Sequence, residues 1–295
     1  MILMVSGRTD IVAFYTKWFI NRYNEGYVDV RNPFYPKNVS RIYFQDVDAI
    51  LFCTKNPLPI IKHLDKIDKP IHFHVTITPY KEDIEPNVPS KKNIIEAIKK
   101  ISSIIGIDNT VIRYDPIFLS DKYNLEYHKK AFEKLCSMLD GYVNKIIISF
   151  LDDYKNVRKN RHILKYQELT ENDYKEIGLF FSSIAKSHNM IVQTCFEEHN
   201  LIEYGFKKGE CLSHELAYKL TGKIYKKWTA RKGGKCNCVE MVDIGSYNSC
   251  NHLCKYCYAN YDENIVHKNY QSHNPNSSLL IGNLEKDDII KIRNK

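Results

Sequence analysis

Short β-type runs recur along this chain with helical segments between them, and that alternation restricts the fold more than any other feature. Candidate strands lie at 2–6 (ILMVS), 48–54 (DAILFCT), 71–78 (IHFHVTIT), 110–115 (TVIRYD), 145–151 (KIIISFL), 190–196 (MIVQTCF) and 240–244 (EMVDI). Helical stretches fall at 11–25, 90–105, 123–139 and 170–187. Thr9, Asp10, Ser90, and Thr170 with Asp173 stand where caps would start them. The pattern predicts an α/β fold with a parallel sheet and helices outside. Seven strands at this spacing favour a full or partial TIM-like (β/α) barrel over an open doubly wound sheet. No G-x-G-x-x-G follows the first strand, so a dinucleotide fold gains no support. The expected organisation is a barrel over 1–245, with 246–295 as a C-terminal loop and tail of the same domain.

The strands divide into two faces. In IHFHVTIT, Ile71, Phe73, Val75 and Ile77 share one face, and His72, His74, Thr76 and Thr78 share the other. The oily face would pack on helices and the polar face would look into the barrel. MIVQTCFEE splits similarly, with Gln193, Cys195 and Glu197 against Val192, Thr194 and Phe196. Arg113 and Asp115 fall together in TVIRYDP. Small closed barrels fill their interior with branched apolar side chains. Repeated polar sets instead predict an open, solvent-reachable interior that holds a polar ligand; an exposed edge face is the alternative. SGRTD (6–10), TKNP (54–57), RYDP (113–116), FLDD (150–153) and CFEEH (195–199) stand where strands give way to loops. In barrel enzymes those loops build the active site. Asp10 and Asp153 would serve equally as helix caps.

Lys+Arg 43 against Asp+Glu 35 gives a formal charge of +8. The surplus is scattered along the chain. It reads first as a solvated lysine-rich surface, with a phosphate-bearing or nucleic-acid ligand as the alternative. The opening MILMVSGRTD lacks a basic start and a long enough apolar run for a signal peptide, and no stretch approaches a membrane span. These features predict a cytoplasmic protein. In that reducing compartment the nine cysteines are expected to hold metal or do redox chemistry rather than form disulfides.

SYNSCNHLCKYCYANY (246–261) spaces Cys250, Cys254 and Cys257 as C-x3-C-x2-C. Three thiolates wrap three corners of a [4Fe–4S] cube and leave one iron open. A zinc site would need a fourth ligand, for which His252 and His267 are candidates, and a chance cysteine triad in a lysine-rich loop is the other alternative. Cys236 and Cys238 form C-x-C, and with Cys195 and Cys211 they make a second group that closes a metal site. An auxiliary iron–sulfur cluster is read there ahead of structural zinc, with buried free thiols as the remaining alternative. Cys53 and Cys136 read as core residues. His72 and His74 suit acid–base work, an anion contact or a structural hydrogen bond. Arg113 with Asp115, and Arg8 with Asp10, form ion pairs or hold a carboxylate.

C-NHL-C-KY-C, with Tyr256 ahead of the last cysteine, resembles the cluster motif of radical S-adenosylmethionine (SAM) enzymes. The resemblance implies that Cys250, Cys254 and Cys257 bind a [4Fe–4S] cluster and that SAM chelates its open iron. One electron, from a donor such as flavodoxin or ferredoxin, would then release a 5′-deoxyadenosyl radical. Tyr256 would shield the cluster, while Ser6, Arg8, His74, Arg113 and Asp115 would hold SAM and substrate. Ordinary members carry this loop after the first strand. Here it follows the last, which implies a permuted barrel with 240–244 beside 2–6. Domain termini lie close together often enough for this to cost little. The chain also resembles, nearly end to end, an uncharacterised bacterial family known as a domain of unknown function. The matching pieces are SGRTDI, RNP (31–33), TKNP, TPYKEDIEPNVP (78–89), RYDPI (113–117), TCFEE (194–198), CNCVEMVDIGSYNSCNHLCKYCYANY (236–261) and HNPNSSLLIG (273–282). The leading expectation is a radical SAM enzyme acting on a small-molecule or phosphate-bearing substrate, without a membrane partner. The alternatives are a non-catalytic zinc or iron–sulfur metalloprotein that binds nucleic acid, and a non-radical enzyme with structural clusters.

Overall fold

A computed structural model describes residues 1–195, 197, 199–229 and 236–293. The strands are β1 (Ile2–Val5), β2 (Tyr27–Arg31), β3 (Asn38–Tyr43), β4 (Ala49–Thr54), β5 (Ile71–Thr76), β6 (Thr110–Ile117), β7 (Lys145–Phe150), β8 (Ile191–Thr194), β9 (Lys207–Lys208), β10 (Met241–Asp243) and β11 (Ile289–Ile292). The helices are α1 (Ile11–Phe14), α2 (Thr16–Glu25), α3 (Leu58–Ile61), α4 (Lys91–Ile105), α5 (Leu125–Leu139), α6 (Lys155–Lys159), α7 (Arg161–Leu164), α8 (Glu171–Ser187), α9 (His214–Thr221) and α10 (Glu263–Gln271). Expected strand 190–196 is realised over Ile191–Thr194; Phe196, at its end, lies outside the described residues.

The helix starts follow local chemistry. Asp10 accepts from the Ala13 amide at 2.9 Å and starts α1. Ser90 and Asn124 do the same for α4 and α5, and Thr170 forms a reciprocal box with Asp173 at the start of α8. The segment expected as one helix over 11–25 breaks at Tyr15, whose hydroxyl reaches across to the Ser249 carbonyl at 2.5 Å. In α4, Ile94, Ile95, Ala97, Ile98 and Ile101 are buried along one face.

The main sheet has the order β10-β1-β4-β5-β6-β7-β8-β9, and every pair runs parallel. The fold is therefore α/β, as expected. Of the full or partial barrel expected, the closed form is not seen: no ladder joins β9 to β10 among the described residues. The edges still approach each other: the Val239 amide donates to the Leu212 carbonyl at 3.1 Å. β10 pairs with β1, in the register Ile2↔Met241, Leu3↔Val242, Met4↔Asp243. A smaller sheet, β11-β3-β2, lies apart from it. The C-terminal tail returns over α2 and this sheet. The Trp18 indole donates to the Ser277 carbonyl at 2.8 Å, and Arg31 grips Asp288 with two nitrogens at 2.6 and 2.7 Å.

The two faces of the strands separate as the sequence alternation requires. Leu3, Val5, Ile50, Phe52, Ile71, Phe73, Val75, Ile112, Tyr114, Ile146 and Ile148 enter the main core beneath the helices. On the other face, Ile2, Ala49, Leu51 and Met241 meet Leu212, Ala217 and Val239 in a second apolar cluster. The N-terminal half of the interior is thus filled, which corrects the expectation of a generally open lumen. His72 and His74 are each only 1% exposed.

Close approach of backbones fixes the end of the β1–β10 pair. A Cβ on Gly245 would stand 1.9 Å from the Ser6 hydroxyl and 2.9 Å from its Cβ. Gly245→Ala is expected to cost about 1–3 kcal/mol, as overpacking does. Urea unfolding should show that cost, and most of it should vanish in the Ser6→Gly background. Equal cost in both backgrounds would contradict the contact.

Candidate functional site

A cavity of ≈ 470 Å³ opens at the C-terminal ends of the main-sheet strands. Its wall includes Ser6 and Gly7 after β1, Thr54 and Lys55 at β4, Asp115 and Pro116 on β6, and Phe150 and Leu151 at the end of β7. This is the end of a parallel α/β sheet where ligands bind. Cys250, Cys254 and Cys257 line it, together with Tyr256 and Tyr258. Cys195, Cys211 and Cys236 line it as well.

The loop that carries Cys250, Cys254 and Cys257 is held by its own carbonyls. Asn156 donates to the carbonyls of Cys257, Tyr258 and Asn260 at 3.2, 3.0 and 2.9 Å. Asn160 reaches that of Lys255 at 2.6 Å, Asn260 that of Cys250 at 2.8 Å, and Asn87 that of Asn251 at 2.8 Å. Tyr258 donates its hydroxyl to the Gly7 carbonyl. Polar side chains from several elements thus satisfy a loop that has no ladder of its own. The Ala259 amide points at the Cys257 sulfur from 3.3 Å. Burial pushes all three thiols up: Cys254 reaches about 12 despite the pull of Lys55, and Cys250 lies well above the ordinary range. As free groups they hold their protons, so a bound metal must displace them.

Beneath the loop sits a charged network that sequence reasoning missed. Glu85 is 2% exposed. Lys55 binds it at 2.8 Å and Thr78 at 2.6 Å, while Lys91 and Tyr256 make still closer contacts. Burial alone would raise the Glu85 carboxyl, but Lys55 and Lys91 overcome it and hold the value down to about 2. Burial works against the Lys55 charge, yet Glu85 and Cys254 keep that ammonium above its ordinary range. Two cations around one carboxylate leave a surplus positive charge beside Cys254, which suits an anionic group there. Lys55 lies in TKNP and Glu85 in TPYKEDIEPNVP, so both stood in noticed stretches, but nothing local marks their pairing.

The other expected site residues separate. Tyr256 packs with Tyr80, Phe118 and Tyr123, against which Cys254 also rests. Arg113 donates to Asp115 at 2.9 Å through Nε and to the Cys211 sulfur at 3.1 Å through Nη1, and Ser149 holds the other Asp115 oxygen. His74 lines the cavity, its Nε2 has no hydrogen-bond partner among the described residues, and burial keeps its ring neutral. Ser6 lines the cavity but spends its hydroxyl on Asp243 at 2.7 Å. Arg8 lies outside the cavity wall, against the Asp243 carbonyl at 2.8 Å and the Tyr247 ring, and does not pair with Asp10. Asp10 instead takes the Lys55 amide at 2.7 Å and His252 Nε2 at 3.0 Å. With His252 Nδ1 facing the Asn87 carbonyl at 3.2 Å, both ring nitrogens are committed, so this histidine does not serve as a fourth ligand. His267 is exposed on α10. Cys136 is core as expected, but Cys53 faces the cavity because its strand position puts it on the inner face.

The second cysteine group does assemble. Cys195, Cys211, Cys236 and Cys238 form one cluster, although they come from the ends of β8 and β9 and the approach to β10. The sulfurs of Cys195, Cys236 and Cys238 lie within 4.8 Å of one another, a spacing that admits a metal ion. Among the described residues no helix is long and apolar enough to cross a membrane.

The Glu85 network gives a pH signature. The folded-state value of about 2 lies below the ordinary 4.5. Its stabilisation is therefore complete above about pH 4.5 and is lost as pH falls towards 2. Glu85→Gln breaks a buried ionic network and is expected to cost about 3–5 kcal/mol at pH 7. It should also flatten the acid limb of a stability–pH curve measured by denaturant melts; an unchanged limb would remove Glu85 from that role.

No curated protein matches the chain. The family model for the domain of unknown function DUF1848 matches residues 2–259, nearly the whole chain. The chain thus belongs to the DUF1848 family.

Proposed function

We propose that this protein is a radical SAM enzyme whose [4Fe–4S] cluster is held by Cys250, Cys254 and Cys257. One observation carries the reading: the three thiols of a C-x3-C-x2-C loop line one cavity with the polar strand ends, and His252, the candidate fourth ligand within the loop, is committed elsewhere. Three protein ligands leave one iron for a small molecule. When bound, the cluster would supply the electron that cleaves SAM to a 5′-deoxyadenosyl radical.

The residues of the chain fit that group. The side chains that clamp the loop carbonyls hold the ligands in place before any metal arrives, and Lys55 with Lys91 offsets the negative charge of thiolate-bound iron. Tyr256 packs over the adjoining aromatic cluster and limits access of water and oxygen from that side. His74 lines the cavity, and its buried Nε2, unpartnered among the described residues, would take a hydrogen bond from SAM or substrate reaching that wall. Asp115 and Arg113 present a fixed charge pair to the same space. The cavity size falls in the range of small-ligand sites. A small polar or phosphate-bearing substrate fits its lining. Reduction would come from a flavodoxin- or ferredoxin-like donor.

Anaerobic purification with iron–sulfide reconstitution tests this. The full chain is expected to bind about four irons at this loop and, once reduced, to convert SAM to 5′-deoxyadenosine. Replacing Cys250, Cys254 and Cys257 together with Ala should abolish both while circular dichroism is unchanged. A wild-type chain that takes up zinc at this loop and no iron would favour a non-catalytic metalloprotein instead.

A further inference from the structure

We propose that Cys195, Cys211, Cys236 and Cys238 bind a single zinc ion, and that this ion joins the two edges of the main sheet where no strand ladder does. The sulfur spacing points to one ion. Thiolates on one tetrahedral zinc, with Zn–S bonds of ~2.3 Å, stand ~3.8 Å apart. Cys195 and Cys238 stand 3.8 Å apart. Cys195, Cys236 and Cys238 are mutually within 4.8 Å. A cubane spreads its ligands more widely, because each sulfur binds a different iron. Cys211 is the fourth ligand: it shares the buried cluster with the other three and its amide donates to the Cys238 sulfur at 3.3 Å, while its own sulfur stands outside the group of three mutually within 4.8 Å and would close in when the ion binds.

The surroundings match a closed tetra-thiolate site. Four thiolates and one divalent ion leave two negative charges. The Arg113 guanidinium, already paired with Asp115, donates to Cys211 at 3.1 Å and so favours the thiolate form of that sulfur. Asp115 and, through it, Ser149 fix that arginine, the outer support that metal ligands ordinarily have. Cys195 follows β8 and Cys211 follows β9, while Cys236 and Cys238 precede β10. β9 and β10 are the two sheet edges. An ion here ties them together beside the Val239–Leu212 backbone bond and seals the cavity wall to which Cys195, Cys211 and Cys236 contribute.

The site is independent of the cluster loop, so the two fail separately. Metal analysis of the full chain is expected to find one zinc per chain in the wild type. The Cys250→Ala/Cys254→Ala/Cys257→Ala variant should keep it, and Cys236→Ser/Cys238→Ser should lose it. Because the double variant can misfold, the wild-type chain is also loaded with cobalt, which should show the intense visible bands of a tetrahedral thiolate site. Iron with acid-labile sulfide in the triple-alanine variant, in place of zinc, would overturn the proposal. So would a metal-free wild type whose four thiols alkylate freely before any chelator is added.

Discussion

The carboxylate of Asp243 holds together the start of the chain and its last main-sheet strand, and the site depends on that junction. It accepts from the Ser6 hydroxyl at 2.7 Å and from the Gly7 and Gly245 amides at 2.8 and 2.7 Å. Arg8 adds a bond to the Asp243 carbonyl. A carboxylate with three donors is well satisfied for a half-buried position. Gly245 makes the arrangement possible, since any side chain there would enter the Ser6 hydroxyl. β10 ends at Asp243, and the cysteine loop begins directly afterwards. Fixing Asp243 against β1 therefore fixes where Cys250, Cys254 and Cys257 enter the cavity.

From that junction the remaining contacts follow in order. His252 inside the loop reaches Asp10, which caps α1 and takes the Lys55 amide after β4. Lys55 reaches Glu85, and Glu85 receives Tyr256 from the same loop. The path leaves the loop, crosses β1 and β4 and returns to the loop. Each link is a hydrogen bond or ion pair between groups that would be costly to bury alone. The loop is thus positioned by satisfied polar groups as well as by the packing of Tyr256 in its aromatic cluster, and a misplaced loop would leave several of those groups unpaired at once.

Much of the sheet was legible because its strands alternate. Phe73 and His74 announce opposite faces by period alone, and Ile191–Thr194 announces itself by β-branched residues. β2 and β3 were not read as strands, because Asp29, Arg31, Ser40 and Arg41 break the apolar signal; they pair directly with each other, and the returning tail adds β11 on the other side of β3. β9 carries two exposed lysines and no pattern. The C-x3-C-x2-C and C-x-C runs were legible by spacing, but bringing Cys236 and Cys238 to Cys195 and Cys211 requires the two edges of the sheet to approach each other, which strand order alone does not give. Glu85, Asp243 and Asn156 were not, because their partners lie far away in sequence or are backbone carbonyls. A residue's identity shows that it has polar capacity; the fold decides who receives it. Ser6 and Arg8 illustrate the converse. They sit at a strand end as a ligand contact would, yet their hydrogen bonds go to Asp243.

The open edge of the sheet explains why the cysteine loop can stand near the C-terminus. In a fully laddered barrel any strand could be first, because the order around the ring has no beginning. Among the described residues the ladder stops between β9 and β10, so β10 is an edge strand there, paired with β1. A chain opened elsewhere could present the same neighbours around the cavity, provided the gap is held by something other than strand hydrogen bonds. The four cysteines lie at that gap, with Arg113 connecting them to the cavity wall. One cysteine group then furnishes the cavity while the other defines its shape. A chain that lost the second group would still hold β10 by its ladder to β1, the Val239–Leu212 bond and the Asp243 junction, so the first group would keep its place while the far edge loosened.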